Sequence, residues 1–331
     1  MMPAWGVCRQ KTLLTMKKIF LLLIAAIANG MCLMAQDNRV ATLQHESGIQ
    51  AFYGENALSD AYNAAVDGDV ITLSAGEFNG CIINKALTIR GEGMSKTKIK
   101  NDLSPVIPEG CKHPLTLEGL LISYPSNSSH TMTFSGKDGT EQVVITKCRF
   151  DLGNGANIGF KNCNATIIQS SSQNSAYALN GSHVTCINSI LYSMRCQDGW
   201  FDSNGSFDAQ NCIVTYPPNC IIRYSTVKNT IFSGGSYSLD ETNKASHCLV
   251  MGNSTGFSDS WSVNSMDGVF ADDYHLTESA AATYIGTDGT EVGIYGGMYP
   301  YDTTPDYPLV KKLDVVGSHK DGKLNIKINV E

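Results

Sequence analysis

The sequence predicts an all-β chain wound as a parallel solenoid, and three observations carry that expectation. First, a short block recurs: a polar or small residue, then Cys, Thr or Ser, then usually a β-branched residue and a large apolar one. It reads Lys147-Cys148-Arg149-Phe150, Ala165-Thr166-Ile167-Ile168 and Asn188-Ser189-Ile190-Leu191, then Asn211-Cys212-Ile213-Val214, Asn229-Thr230-Ile231-Phe232 and His247-Cys248-Leu249-Val250. Second, the blocks start at 147, 165, 188, 211, 229 and 247, steps of 18 or 23 residues, which is the period of a solenoid coil. Third, no period holds ten residues of helical pattern, and the Leu-x-x-Leu-x-Leu signature is missing. Helical solenoids and leucine-rich repeats are thereby excluded.

Taken in order, the chain opens on a targeting segment. Met16-Lys17-Lys18 leads into nine apolar residues, Ile19 to Ile27, and Leu33-Met34-Ala35 precedes Gln36. A short basic stretch, an apolar run too short to span a bilayer and a small final residue describe a secretory signal peptide over 1–35. Met16 makes a better start than Met1, which leaves 1–15 outside the signal. Cleavage after Ala35 is favoured over lipid attachment at Cys32, because Met31 is bulky where such a site wants a small residue. The expected location is extracellular, periplasmic or at the cell surface. No second run of membrane length follows, so no transmembrane segment is expected.

Cleavage removes Arg9, Lys11, Lys17 and Lys18 and no acid, so the formal charge of −7 becomes −11. An acidic surface without a basic stripe argues against nucleic acid as a partner. It also disfavours a polyanionic sugar unless Ca²⁺ bridges the two. Cysteines 81, 111, 148, 163, 186, 196, 212, 220 and 248 remain, an odd number that cannot all pair within one exported chain. Paired CxxC spacing for zinc is absent.

Ala57 to Val66 is the one convincing helix, with apolar Ala57, Leu58, Ala61, Tyr62 and Ala65 at helical spacing. Asp67-Gly68-Asp69 stops it, Val70 to Leu73 is β-rich, Ser74-Ala75-Gly76 turns the chain, and Ile82-Ile83 and Leu87-Thr88-Ile89 follow as strands. From there eight segments align, opening at 87, 115, 143, 161, 184, 207, 225 and 243. Their third residues are Ile89, Leu117, Ile145, Cys163, Cys186, Ala209, Val227 and Ala245, all apolar or small. Their sixth residues from Leu120 onward are Leu120, Cys148, Thr166, Ser189, Cys212, Thr230 and Cys248. One coil cannot bury its apolar face alone, and stacked parallel strands make a continuous core. The Asn188, Asn211 and Asn229 column suits a turn in the left-handed region, which Asn tolerates. Cysteine packs well in a narrow core, so the columns containing Cys163 and Cys186, and Cys148, Cys212 and Cys248, read as interior ladders. Cys196 and Cys220 fall outside those columns and are the best disulfide candidates.

The run from Ala57 to Phe78 followed by Asn84-Lys85-Ala86-Leu87-Thr88-Ile89-Arg90-Gly91 resembles the N-terminal cap and first coils of the right-handed parallel β-helix, or pectin-lyase-like, superfamily. The central N-[CST]-I-[VLF] blocks resemble its coils. Gly268 to Leu276 and Ile285 to Gly297 resemble the closing segment of its secreted bacterial members. The resemblance spans about residues 50 to 300 and implies a right-handed single-stranded parallel β-helix with an N-terminal helical cap. The superfamily holds lyases, hydrolases and adhesins alike, so fold does not decide activity. The implied organisation is signal peptide 1–35, β-helix 36–300, and linker with β tail 301–331. In that tail, Thr303 to Pro308 reads as linker. Lys312 to Val316 and Lys323 to Val330 alternate around Asp321-Gly322 as a hairpin; capping an open sheet edge is the favoured role, with docking on a partner and sorting as the alternatives.

Polysaccharide lyases of this resemblance need an Arg or Lys to abstract the proton beside a uronate carboxylate, with acids holding Ca²⁺ against that carboxylate. Arg149, Arg195 and Arg223 are the candidates, Arg149 foremost because its alignment partners Ile167, Ile190, Ile213 and Ile231 are apolar. Asp198, Asp202 and Asp208 form the densest acidic cluster and are candidate Ca²⁺ ligands, since hard oxygen donors suit that ion. Trp200, Phe201 and Tyr192 are candidate sugar-stacking residues. Hydrolysis wants two suitably spaced carboxylates, and the one adjacent pair, Asp272-Asp273, falls in the closing segment with His275, where a structural role is expected. The expectation is a carbohydrate-interacting surface protein without a recognisable active site. A Ca²⁺-dependent polysaccharide lyase and a structural or adhesive module are the alternatives.

Overall fold

A computed structural model describes residues 38–331, apart from 47, 102, 104, 125–130, 154–155, 197–203, 217–219, 235–236, 238, 308–309, 316–325 and 331. The signal-peptide and Cys32 expectations therefore lie outside the described residues. The described chain is a parallel β-helix, as the coil arithmetic implies. Successive coils lay strands into a 12-stranded first sheet and a 10-stranded second sheet, and four middle coils add a third sheet.

The first sheet stacks one inward column: Ile71, Ile89, Leu117, Ile145, Ile167, Cys186, Ala209, Val227, Ala245 and Phe257. One coil is displaced from the sequence alignment. Ile167, not Cys163, pairs with Ile145 and Cys186, so Cys163 and Cys186 do not share a column. The reason is parity: side chains alternate with period two, so a slip of four residues keeps every inward residue inward. Cys163 instead follows Asn162 at another corner of the coil, where its amide donates to Ser182 Oγ.

Between the first and second sheets each coil from Leu115–Glu118 onward turns on a residue with positive φ: Gly119, Lys147, Gln169, Asn188, Asn211, Asn229, His247 and Asp259. The residue after each turn is Leu120, Cys148, Ser170, Ser189, Cys212, Thr230, Cys248 and Ser260, so Ser170 takes the place assigned to Thr166. These side chains do one job. Ser189, Thr230 and Ser260 donate Oγ–H to the carbonyl two residues back, and Cys148, Cys212 and Cys248 direct Sγ at the same carbonyl at 3.3–3.4 Å. Each hydroxyl also accepts the amide of the coil before it, as Thr230 does from Cys212. The N-[CST]-I motif is thus a corner that satisfies its own backbone inside a dry core.

The N-terminal end is closed by an antiparallel hairpin, Val40–His45 with Gly48–Tyr53, and by the helix Ala57–Ala64. The helix buries Ala57, Leu58, Ala61 and Tyr62, the stripe its spacing gives. At the other end the chain folds back. Val269, Leu276, Ala280, Val292 and Ile294 pack over Ile213, Ile231 and Leu249 on the outer face of the second sheet, forming a separate core. From there residues 285–307 run back along the corner column like a strap. Thr287 donates its amide to Asn229 Oδ1 (2.9 Å), and Asn188 Nδ2 reaches the carbonyls of Ile294 and Gly296. Further along, Gln169 Nε2 reaches Pro300 O, and Lys147 Nζ reaches Thr304 O (2.5 Å) and Asp306 (2.6 Å). Gly296 is required in the strap because a Cβ there would stand 1.8 Å from Glu291 O. Thr303 to Tyr307, the segment read as linker, lie within this stretch. Val310–Val315 and Ile326–Val330 pair antiparallel as a hairpin.

Candidate functional site

The third sheet consists of Met132–Ser135, Asn157–Lys161, Ser175–Leu179 and Met194–Arg195. Alternation sends Met132, Phe134, Ile158, Phe160, Ala176, Ala178 and Met194 into the core, with Phe134 and Phe160 stacked at 5.2 Å. The opposite parity faces outward in register: Thr133, Gly159, Tyr177 and Arg195. Arg195 lays its guanidinium over the Tyr177 ring at 5.4 Å from the centroid, a cation–π contact. Its buried Nε has no hydrogen-bond partner among the described residues. At the corner leading into this sheet, Tyr192 and Tyr216 of adjacent coils stack at 5.0 Å, with Tyr216 41 % exposed. Their coils are locked by the bond from Tyr216 N to Tyr192 O. On the next coil Ile221 bridges to Arg195, and Arg223 stands two residues beyond it, its carbonyl facing Cys196 Sγ.

One flank of the solenoid therefore gathers Tyr177, Tyr192, Arg195, Tyr216 and Arg223. Tyr177 and Tyr216 were missed in sequence. Their only signal is the third-sheet register, which appears once 175–179 is aligned on 194–195. Of the predicted site residues, Arg195, Arg223 and Tyr192 belong to this flank. Asp198, Trp200, Phe201 and Asp202 lie outside the described residues.

The other two predicted residues stand elsewhere. Arg149 is exposed on the second sheet, in register with Leu121 and Ser171. Its partner is thus Ser171 and not Ile167, the same displaced coil at work. Ile213 and Ile231 along that column are apolar because the folded-back C-terminal segment covers them. Asp208 faces outward from the first sheet, 3.2 Å from His183 Nε2, while His183 Nδ1 contacts Ser206 Oγ at 2.8 Å. The three arginines accordingly do not share a face. Among the described residues, no group of three His, Cys, Asp or Glu side chains is placed to hold a metal ion.

The corner-column cysteines are poor candidates for a nucleophile. Cys148, Cys212 and Cys248 are fully buried, and burial pushes each thiol up to about 12, away from the reactive thiolate. Cys196 and Cys220, the disulfide candidates, lie on neighbouring coils and are not joined by a disulfide; Cys220 Sγ accepts from Met194 N. In the closing segment, His275 stacks on Tyr295 and Tyr295 Oη donates to Asp273 O, a structural arrangement.

A concave feature sits by the N-terminal cap, lined by His45, Glu46, Asp67, Asp69 and His113 among others. His45 Nδ1 lies 2.8 Å from Asp69 Oδ2, which also accepts Val66 N at 2.7 Å. Sequence gives no sign of this pair, because the antiparallel register Gln44↔Val70 is what brings it together.

No protein-family model matches the chain, and no curated protein matches it. Among solved structures it is similar to a PL6 family alginate lyase, at 17 % identity and a TM-score of 0.29, over 64 % of this chain and 36 % of that one. The chain thus spans about a third of that lyase's length. The coil topology and stacked parallel sheets make the chain a parallel β-helix.

Proposed function

We propose that the protein is an exported carbohydrate-binding β-helix whose ligand lies across the third-sheet flank. The carrying observation is that two aromatic contacts, Tyr177–Arg195 and Tyr192–Tyr216, lie on adjoining coils of one flank. Flat rings present apolar faces suited to sugar C–H surfaces, while their hydroxyls and the guanidinium reach polar groups. Arg195 and Arg223 supply positive charge there, so carboxylated sugars are accommodated in a chain that is acidic as a whole. Export rests on the signal-like 1–35 segment. The experiment is a glycan array probed with the secreted chain. Hits among acidic polysaccharides support the reading, and an array without hits contradicts it and leaves the adhesive or structural alternative.

The lyase alternative draws on the same arginines. It requires Arg195 or Arg223 as proton abstractor, with Asp198 and Asp202 as Ca²⁺ ligands. β-Elimination leaves an unsaturated uronate end, so ultraviolet absorbance rising with time on an acidic polysaccharide, and abolished by a chelator, would establish it. Flat absorbance across the panel removes it.

A further inference from the structure

We infer that the strand Gly48–Tyr53 is a self-pairing edge through which two copies of the chain join their first sheets into one. This strand is terminal in the sheet order, bonded to Val40–His45 on one side and, among the described residues, to no strand on the other. It is exposed along nearly its whole length, with Ile49 75 % and Tyr53 60 % exposed. An edge of this kind is a template for another strand. Proteins that keep such edges apart place Lys, Pro or a bulge there, and Gly-Ile-Gln-Ala-Phe-Tyr has none of these and no charge. In a chain of formal charge −7, that uncharged stretch can meet its own copy without like-charge repulsion.

The hydrogen-bond phase of the hairpin fixes how a copy would fit. Gly54 N donates to Arg39 O just beyond the pair Val40↔Tyr53. Bonded and non-bonded pairs alternate in an antiparallel ladder, so Phe52, Gln50 and Gly48 spend their backbone groups on the inner strand. Ile49, Ala51 and Tyr53 then turn N–H and C=O toward the open edge. A two-fold axis perpendicular to the sheet keeps each side chain on its own face. The pairing that satisfies both face and hydrogen bonds is centred on Ala51. It sets Ile49 of one copy against Tyr53 of the other, twice, and Ala51 against Ala51. The two most exposed apolar side chains of the strand thus cover each other, while the small alanine sits on the axis. Opposed aromatic and β-branched residues are favourable cross-strand pairs. A single strand pair makes a small interface, so the dimer forms in a concentration-dependent manner.

The test is light scattering with size exclusion on the secreted chain over a concentration series, beside Ala51→Pro and Ile49→Lys. Proline at 51 deletes an outward N–H that the inner ladder does not use, and lysine at 49 places a charge opposite Tyr53. Wild type is expected to pass from monomer to dimer, with each variant weakening association by about tenfold or more. Thermal unfolding at low concentration should be unchanged in Ile49→Lys. Amide exchange on wild type supplies an arm that needs no variant: Ile49, Ala51 and Tyr53 slow as the dimer forms, while Gln50 and Phe52, already bonded, do not. A chain monomeric at every concentration, a dimer that both variants leave intact, or protection confined to other strands overturns the proposal.

Discussion

At the scale of single residues, the corner column explains why Cys, Ser and Thr interchange along the repeat. Each places a small polarisable or hydroxyl group where a buried carbonyl two residues back needs a partner. Cys212→Ser is expected to change stability by less than about 1 kcal/mol, whereas Cys212→Asp buries a carboxylate and unfolds the coil; thermal denaturation separates them. Thiol labelling of the native chain should reach Cys81 and Cys111, which are half-buried, and spare the seven buried cysteines. The buried thiols also set an alkaline limit. Their native pKa is raised by burial, so their contribution is full below the unfolded value of about 8.5 and is lost as pH climbs from there toward about 12. Stability measured against pH should therefore decline above about 8.5, and less steeply in Cys212→Ser. Asn229 gives a second residue-scale test, because it combines φ of +50° with side-chain bonds to Asn211, Thr287 and Asp288. Asn229→Ala should cost about 2–4 kcal/mol, adding left-handed strain to lost bonds. Asn229→Gly keeps the conformation and should recover about 1 kcal/mol of that loss.

Among the elements, the strap is what the repeat alone could not reveal. Its anchors are a glutamine, a lysine and asparagines drawn from different coils, and no periodicity links them to residues 285–307. Lys147 is its clearest latch: 2 % exposed, in an otherwise left-handed turn position, with its ammonium on Thr304 O, Asp306 and Asp302. Lys147→Met should release the strap's distal half, at a cost of about 1.5–3 kcal/mol for charge-assisted bonds. Limited proteolysis at 301–307 is the measurement, with faster cleavage expected in the variant. The backbone amide of Thr304, with Lys147 adding to it, holds the Asp302 carboxyl below its usual range. A lowered carboxylate pKa contributes above the unfolded value of about 3.9 and fades as pH falls through the lower folded value. Wild-type cleavage should consequently accelerate below about pH 4, and Lys147→Met should show a smaller acid effect.

For the whole molecule, eight of the ten stacked coils, the parallel stacking, the cap helix and the left-handed asparagine corners were legible because each is written in local pattern. The displaced coil was not, since Ala165 to Ile168 mimics the corner block and an even slip leaves alternation intact. The candidate site was legible only in part. Arg195, Arg223 and Tyr192 come from neighbouring coils, which sequence order preserves, whereas Tyr177 joins them through a lateral register that no local pattern encodes. Arg149 stood out against isoleucines that turn out to lie beneath the folded-back segment, so its contrast reports where that cover ends and not where chemistry begins. Binding across the third-sheet flank is tested by calorimetric titration of wild type, Tyr216→Ala and Arg195→Ala with the acidic oligosaccharide found best on the array. Each variant is expected to weaken binding by about tenfold, while Arg149→Ala, on the other sheet, leaves it unchanged. Equal affinity in all four proteins, or a loss confined to Arg149→Ala, would contradict it.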